Sequence, residues 1–254
     1  MARWSVVAIV AVVVLAVLGA CVVLLSGRWS GSDEPAARRP LLRPVPRLPQ
    51  RPAVQVGDGP VAARLLRRVL LRERPGGRAV RAIGTRTGYG SPRVLSVVRR
   101  RGDWLAVLSH YRPNSRVGWI PASGAVLLRE PYTLHVDLSA RVLIVRRGGR
   151  VKRRVLVTIG RPGNPTPTGR FAVTDLLLIG QGSGAYGCCA LALTGRQPNV
   201  TQGWGGGDRL AIHGTSNVGS IGSAASGGCL RASERNMRWL LAHVQLGAPL
   251  RIQA

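Results

Sequence analysis

The chain has 254 residues, 45% of them hydrophobic, enough for more than one small core once any membrane segment is set aside. Its formal net charge is +27, and because Lys152 is the only lysine, nearly every positive charge is an arginine. Such charge suits polyanions, among them anionic lipid and wall polymers, or else records an arginine-rich composition that leaves a solvated basic surface. Nucleic acid is set aside as a partner, since no aromatic-interleaved RNA-binding pattern and no zinc-finger spacing accompanies the charge.

Residues 1–26 read as a membrane anchor or signal segment. Val6 to Leu25 is a twenty-residue run interrupted only by Gly19 and Cys21, close to the ~20 residues a helix needs to cross a bilayer. Trp4 and Trp29 bracket it, as interfacial aromatic residues do. Three readings stay open: a retained transmembrane helix, a lipoprotein signal in which Cys21 of "LGAC" is lipidated, and a cleaved signal. Each sends the remainder outside the cytoplasm, although arginines 28, 38 and 39 on the C-terminal flank run against the positive-inside rule. Residues 27–58, with prolines at 35, 40, 44, 46, 49 and 52, read as a Pro/Arg-rich linker, extended at ~3.1 Å per residue.

Residues 59–130 show short β-like runs separated by turns, and "RGD" (Arg101–Asp103) and "PNS" mark two of the turns. The pattern predicts a small antiparallel barrel with Trp104 and Trp119 as core residues, the alternative being that one of them lines a glycan-binding groove. "GDWLAV" followed by "GWI" resembles the bacterial Src-homology-3-like domains that accompany wall enzymes. As an accessory that positions or binds, such a barrel is expected to be dispensable for any chemistry downstream.

Residues 131–254 are mainly β. "YTLHVDLSARVLIVRRGGRVKRRVLVTIG" offers three strands, "TGRFAVTDLL", "CALALTG" and "RLAIHGT" continue the series, and "PLRIQ" closes it. Only "SERNMRWLLAHV" reads as a helix, with Ser233 as N-cap and Met237, Leu240, Leu241 and Val244 recurring at helical spacing.

His213 and Cys229 lie sixteen positions apart in a segment made mostly of Gly, Ser and Ala. A thiol attacks as thiolate, so a nucleophilic Cys229 needs a base, and His213 at the end of "RLAIH" is the candidate. Gly227 and Gly228 let the backbone present N–H groups beside the sulfur, as an oxyanion hole requires. A histidine and a cysteine at this spacing are also compatible with a purely structural role. The adjacent Cys188 and Cys189 read as small residues in or near a buried strand, because a disulfide between neighbours is strained and no metal-site spacing is present. No motif surrounds His110, His135 or His243, and they are expected to be structural.

"H-G-T … S-G-G-C-L-R" resembles the motif of the YkuD-type L,D-transpeptidases, and "PTPTGRF" (Pro165–Phe171), "GAYG" (Gly184–Gly187), "GGDRLAIHG" and "LGAPLRI" follow in that family's order. The resemblance spans 131–254 and implies a β-sandwich or barrel with a short helix, no cofactor and no metal. It implies an enzyme in which Cys229 attacks an L-to-D peptide bond of a peptidoglycan stem tetrapeptide to give a thioester. His213 then moves the proton, and the Gly214 carbonyl orients the imidazole. A side-chain amine of a neighbouring stem resolves the thioester into a 3→3 crosslink. Ser226 falls within the motif and Arg231 two residues beyond the cysteine; both are assigned to substrate binding, Arg231 holding a substrate carboxylate, favouring the thiolate, or fixing the loop by a salt bridge. One departure is that Gly227 stands where the family carries a second histidine, so His213 is left as the only nearby base. Two other functions stay open, a non-catalytic wall-binding protein and an L,D-carboxypeptidase of the same fold. The implied location is the cell envelope, tethered through residues 6–25.

Overall fold

Alternation of apolar and polar residues, a period of two, puts one face of each strand inside, and the resulting strands take up about half of the chain that the computed structural model describes, residues 43–44, 59–180, 184–200 and 208–254. The expected membrane segment lies outside the described residues, as does the linker except for the two-residue strand β1 (Arg43–Pro44), which pairs with Leu177 and Leu178. Among the described residues no helix is long and apolar enough to cross a membrane.

The first strand group comprises β2 (Val61–Leu65), β3 (Val69–Arg72), β4 (Ala79–Ile83), β5 (Val94–Arg101), β6 (Trp104–Leu108), β7 (Val117–Pro121) and β8 (Ala125–Arg129). They form one antiparallel sheet in the order β4-β3-β7-β6-β5-β2-β8. It curls around its own core of Leu65, Leu71, Ile83, Leu105, Val107 and Ile120. Gly102 and Asp103 of "RGD" make the two-residue β5–β6 turn, and Gly102 supplies its left-handed φ of 53°. Trp119 is buried, with the Arg99 guanidinium 5.2 Å over its ring. Trp104 is not a core residue: it is half-exposed, at the start of β6 beside that turn.

The second group comprises β9 (Tyr132–Asp137), β10 (Val142–Arg147), β11 (Arg150–Leu156), β12 (Ile159–Gly160), β13 (Gly169–Leu178), β14 (Cys189–Arg196), β15 (Arg209–His213), β16 (Ala224–Ser226), β17 (Leu230–Arg231) and β18 (Pro249–Gln253). The main sheet runs β11-β10-β9-β18-β13-β14-β15-β17. Strand β13 turns this sheet over on itself. Its first residues, Gly169–Ala172, pair with β18, whereas Val173–Leu178 pair with β14. The helix α1 (Glu234–His243) starts where Ser233 Oγ accepts from Asn236 N at 3.4 Å and buries Met237 and Leu240. His243 is structural, stacked on Trp239 at 4.2 Å with Nδ1 on the Trp239 carbonyl at 2.8 Å.

The two groups form one compact unit with an intimate seam. Ala62 and Val94, from the first group, are buried in the core of the second. Asn114 of the "PNS" turn makes both backbone bonds of Arg196, donating to its carbonyl at 2.7 Å and accepting from its amide at 2.9 Å. Arg196 Nε donates to the His110 carbonyl at 3.0 Å, and Thr87 Oγ1 donates to the buried Asp175 carboxylate. His110 sits at this seam with its pKa pushed down to about 3, by burial first and then by the guanidiniums of Arg209, Arg93, Arg196 and Arg81.

Candidate active site

Two short parallel strands place the reactive groups. β15 and β17 pair with Ile212 opposite Leu230 and His213 opposite Arg231. Ile212 and Leu230 point into the core. By alternation His213 and Arg231 share the opposite face, and Cys229, in the bend just before β17, has its thiol against the β15 backbone at Arg209 and Ala211. This register brings together the histidine and cysteine that the sequence separates.

His213 is buried, and its Nδ1 lies 2.6 Å from the Gly214 carbonyl. A carbonyl only accepts, so Nδ1 carries the proton and Nε2 keeps the lone pair for a substrate or thiol proton. The Tyr186 ring packs at 4.8 Å from the imidazole, tilted by 53°. Burial drives the His213 pKa down to about 4; the Gly214 bond opposes that shift and Arg231 adds to it. Burial likewise pushes the Cys229 thiol up, against smaller lowering effects of the Ala211 backbone and Arg231. The thiol lies on the Arg209 carbonyl at 3.9 Å. The resting pair is therefore a neutral thiol beside a neutral imidazole.

The turn before Cys229 corrects two expectations. Ser226 is fully buried, and its hydroxyl is used twice within the turn, donating to the Cys229 carbonyl at 2.6 Å and accepting from the Gly228 amide at 3.0 Å. Ser226 therefore shapes the loop and does not face a ligand. The Gly228 amide, committed to that bond, is not a free oxyanion donor. Gly228 is needed for shape instead: its φ is +118°, and a Cβ there would stand 2.6 Å from Gln197 Nε2. At Gly227 a Cβ would meet nothing within 4 Å.

Sequence reasoning missed three contributors. Thr166, inside "PTPTGRF", accepts from the Gly160 amide at 2.8 Å and donates to the Gly228 carbonyl at 2.9 Å, which ties that motif to the cysteine turn. Tyr186, inside "GAYG", covers the imidazole, and the backbone of Arg209 receives the thiol. Arg231 makes no salt bridge among the described residues, contrary to one reading of it, and its Nε is buried without a hydrogen-bond partner. Cys188 and Cys189 are joined to each other as a disulfide, contrary to expectation. The Cys189 carbonyl accepts from the Gly214 amide at 3.1 Å, beside the imidazole.

Residues 131–252 match the sequence profile of the YkuD family, described as the L,D-transpeptidase catalytic domain. The chain is 28% identical over 153 residues to a Bacillus subtilis protein named "Putative L,D-transpeptidase YkuD", which covers 58% of this chain and 85% of that protein. A Bacillus licheniformis protein of the same name is 30% identical over 122 residues, 48% of this chain and 66% of its own length. Among solved structures, an L,D-transpeptidase from Mycobacterium tuberculosis aligns at 19% identity and TM-score 0.42 over 54% of this chain and 72% of its own. One from Mycobacterium smegmatis aligns at 16% identity and TM-score 0.41 over 84% of this chain and 99% of its own.

Proposed function

Since residues 131–252 form an L,D-transpeptidase catalytic domain of the YkuD family, we propose that this chain crosslinks peptidoglycan through a thioester on Cys229. The observation that carries the reading is the β15–β17 pairing, which sets Cys229, just before β17, against the β15 backbone that ends in His213, with His213 Nδ1 fixed by the Gly214 carbonyl. In the acylation step Cys229 Sγ bonds to the carbonyl carbon of an L-to-D peptide bond in a stem tetrapeptide. The thiol proton passes to His213 Nε2 and on to the departing D-amino acid as the C–N bond breaks. An amine of a second stem then attacks the thioester, restores the thiol and leaves a 3→3 crosslink; water in its place makes the reaction a carboxypeptidase. With the Gly228 amide occupied, the oxyanion falls to the amides of Gly227 and Cys229. Arg231, which makes no salt bridge among the described residues, is left to hold a substrate carboxylate.

The substrate class and the apolar run at residues 6–25 together support a location in the cell envelope, with the catalytic domain outside the membrane. Intact-mass measurement of the protein after exposure to a carbapenem, followed by peptide mapping, tests the nucleophile. An adduct on Cys229 is expected, and an adduct elsewhere or none refutes the assignment. Product analysis with and without an amine acceptor separates transpeptidase from carboxypeptidase, and a protein with no thiol reactivity is left as a wall binder.

A further inference from the structure

A cleft of about 370 Å³ opens at the seam between the two strand groups, at the opposite end of the main sheet from Cys229. One wall is the outer face of β10, β9, β18 and β13. The backbone register sets Arg170 opposite Arg251 and Arg251 opposite His135, and Arg146 faces Thr133 one step along. Neighbouring strands are ~4.8 Å apart, so the row of Arg170, Arg251 and His135 spans roughly 10 Å. The other wall is the middle of β5, where the register against β6 shifts and Val97 and Val98 are half-exposed.

Like charges directly opposite one another on a sheet are destabilising unless something neutralises them. Here, among the described residues, nothing does so. Among the described residues, no carboxylate pairs with Arg146, Arg170 or Arg251, and no aromatic ring or side-chain hydrogen-bond acceptor meets their guanidiniums. The nearest carboxylate along β9, Asp137, already accepts from Ser139 Oγ at 2.7 Å and Ala140 N at 2.9 Å. Some arginines elsewhere do find partners: Arg153 stacks on Trp239 and donates to Asn236, and Arg196 pairs with Asp208.

We propose that this cleft is a binding groove for a linear phosphodiester-linked polyol, held by Arg170, Arg251 and Arg146 against Val97 and Val98 of β5. A guanidinium fork takes the two non-bridging oxygens of a phosphodiester, and a row of forks suits a chain with one charge per repeat better than it suits a single small anion. The uncharged carbons between phosphates fit the apolar wall. A second cleft of about 490 Å³ shares Arg170 and Arg251 and continues past them, so a chain has room to run on. A single-stranded nucleic acid would need exposed aromatic rings to stack on, and the only aromatic residue lining the first cleft, Phe171, is buried. The groove is independent of the thiol chemistry.

The test is titration calorimetry of the full chain with a short oligo(glycerol phosphate) at low salt, comparing wild type with two double variants. Saturable one-to-one binding is expected. Arg170→Gln with Arg251→Gln should weaken it about tenfold or more and flatten its log–log salt dependence by about 1 to 2. Arg150→Gln with Arg154→Gln removes the same charge from exposed positions on β11 and should change affinity by no more than about twofold. Arg170→Lys with Arg251→Lys keeps the charge and should restore only part of the affinity. Equal losses in the two Gln pairs, or equally tight binding of polyglutamate, would mean charge alone attracts the ligand and would overturn the proposal. So would tighter binding of single-stranded DNA, or a response to inorganic phosphate alone. Unchanged melting temperatures establish that the variants are folded.

Discussion

If the resting pair is neutral, His213→Ala should change how acylation depends on pH as well as how fast it runs. In the wild type His213 is a free base at any pH above about 4, its lowered pKa. Cys229 is a neutral thiol at neutral pH and below, because burial pushes its pKa up. The reactive combination is thus fully populated between roughly pH 5.5 and 7.5, and the rate of carbapenem acylation should be nearly flat there. Without the imidazole only the thiolate reacts. Even a thiol with an ordinary pKa near ~8.5 is only about 3% ionised at pH 7, and the buried Cys229 is less so. The loss at pH 7 should therefore be at least ~30-fold and reach toward the ~10²- to 10⁴-fold typical of a removed general base. The variant's rate should climb about tenfold per pH unit, so the two curves converge at alkaline pH. Stopped-flow or mass-resolved acylation from pH 5 to 9 reads both features. A wild-type rate that itself rises tenfold per unit between pH 5.5 and 7.5, or a His213→Ala protein within about threefold of wild type at pH 7, would refute the neutral-pair argument.

The same buried imidazole makes the fold acid-sensitive. The folded state refuses a proton that unfolded His213 takes up near ~6.5, so its share of the stability, up to ~3 kcal/mol, should be lost from about pH 6.5 to 4, while His110, with a pKa of about 3, extends the loss to lower pH; the difference between wild type and His213→Gln in urea unfolding against pH isolates the first share. Gly227→His, which restores the residue usual in the family, has open space at its Cβ; melting temperature should hold and the acylation rate shift by less than about tenfold. Gly228→Ala meets both a φ of +118° and the Gln197 side chain, so it should cost about 1–3 kcal/mol in unfolding measurements and slow acylation sharply. Thr87→Val strips the buried Asp175 carboxylate of the Thr87 hydroxyl and should cost about 1–3 kcal/mol, with Thr87→Ser recovering most of it in the same assay.

Much of the second strand group was legible because its signals are local. The alternation in "YTLHVDL" and "RVLIVRR" and the Ser233 cap need no distant partner, and β9, β10 and α1 lie where those patterns put them. The chemistry of His213 and Cys229 was legible as a pair of residue types, and the Gly214 carbonyl stands beside His213 Nδ1 as the resemblance implied. Tyr186 and Thr166 sat inside recognised motifs without a role, because their partners, the imidazole and the Gly228 carbonyl, are distant in sequence. Ser226 was misassigned for a related reason. A hydroxyl next to a nucleophile reads as a substrate contact, and only the folded turn shows both of its hydrogen-bonding capacities consumed.

The seam was the least legible feature, and it alters what the first strand group can be. Its strands alternate around a core of their own, which is why residues 59–130 read as a self-sufficient barrel. Yet Ala62 and Val94 complete the core of the other group, and Gly247 lies so close to both that a Cβ there would stand 2.7 Å from Ala62 Cβ and 2.9 Å from a Val94 methyl. Asn114 and the His110 carbonyl hold Arg196 at the end of β14, the strand that runs back alongside β15 and His213. Removing residues 59–130 would expose those core positions and free that strand end, so the truncated chain should lose cooperative unfolding and carbapenem acylation together. A truncated protein that still melts cooperatively and acylates Cys229 at the wild-type rate would show instead that the seam is a docking contact, dispensable for the chemistry.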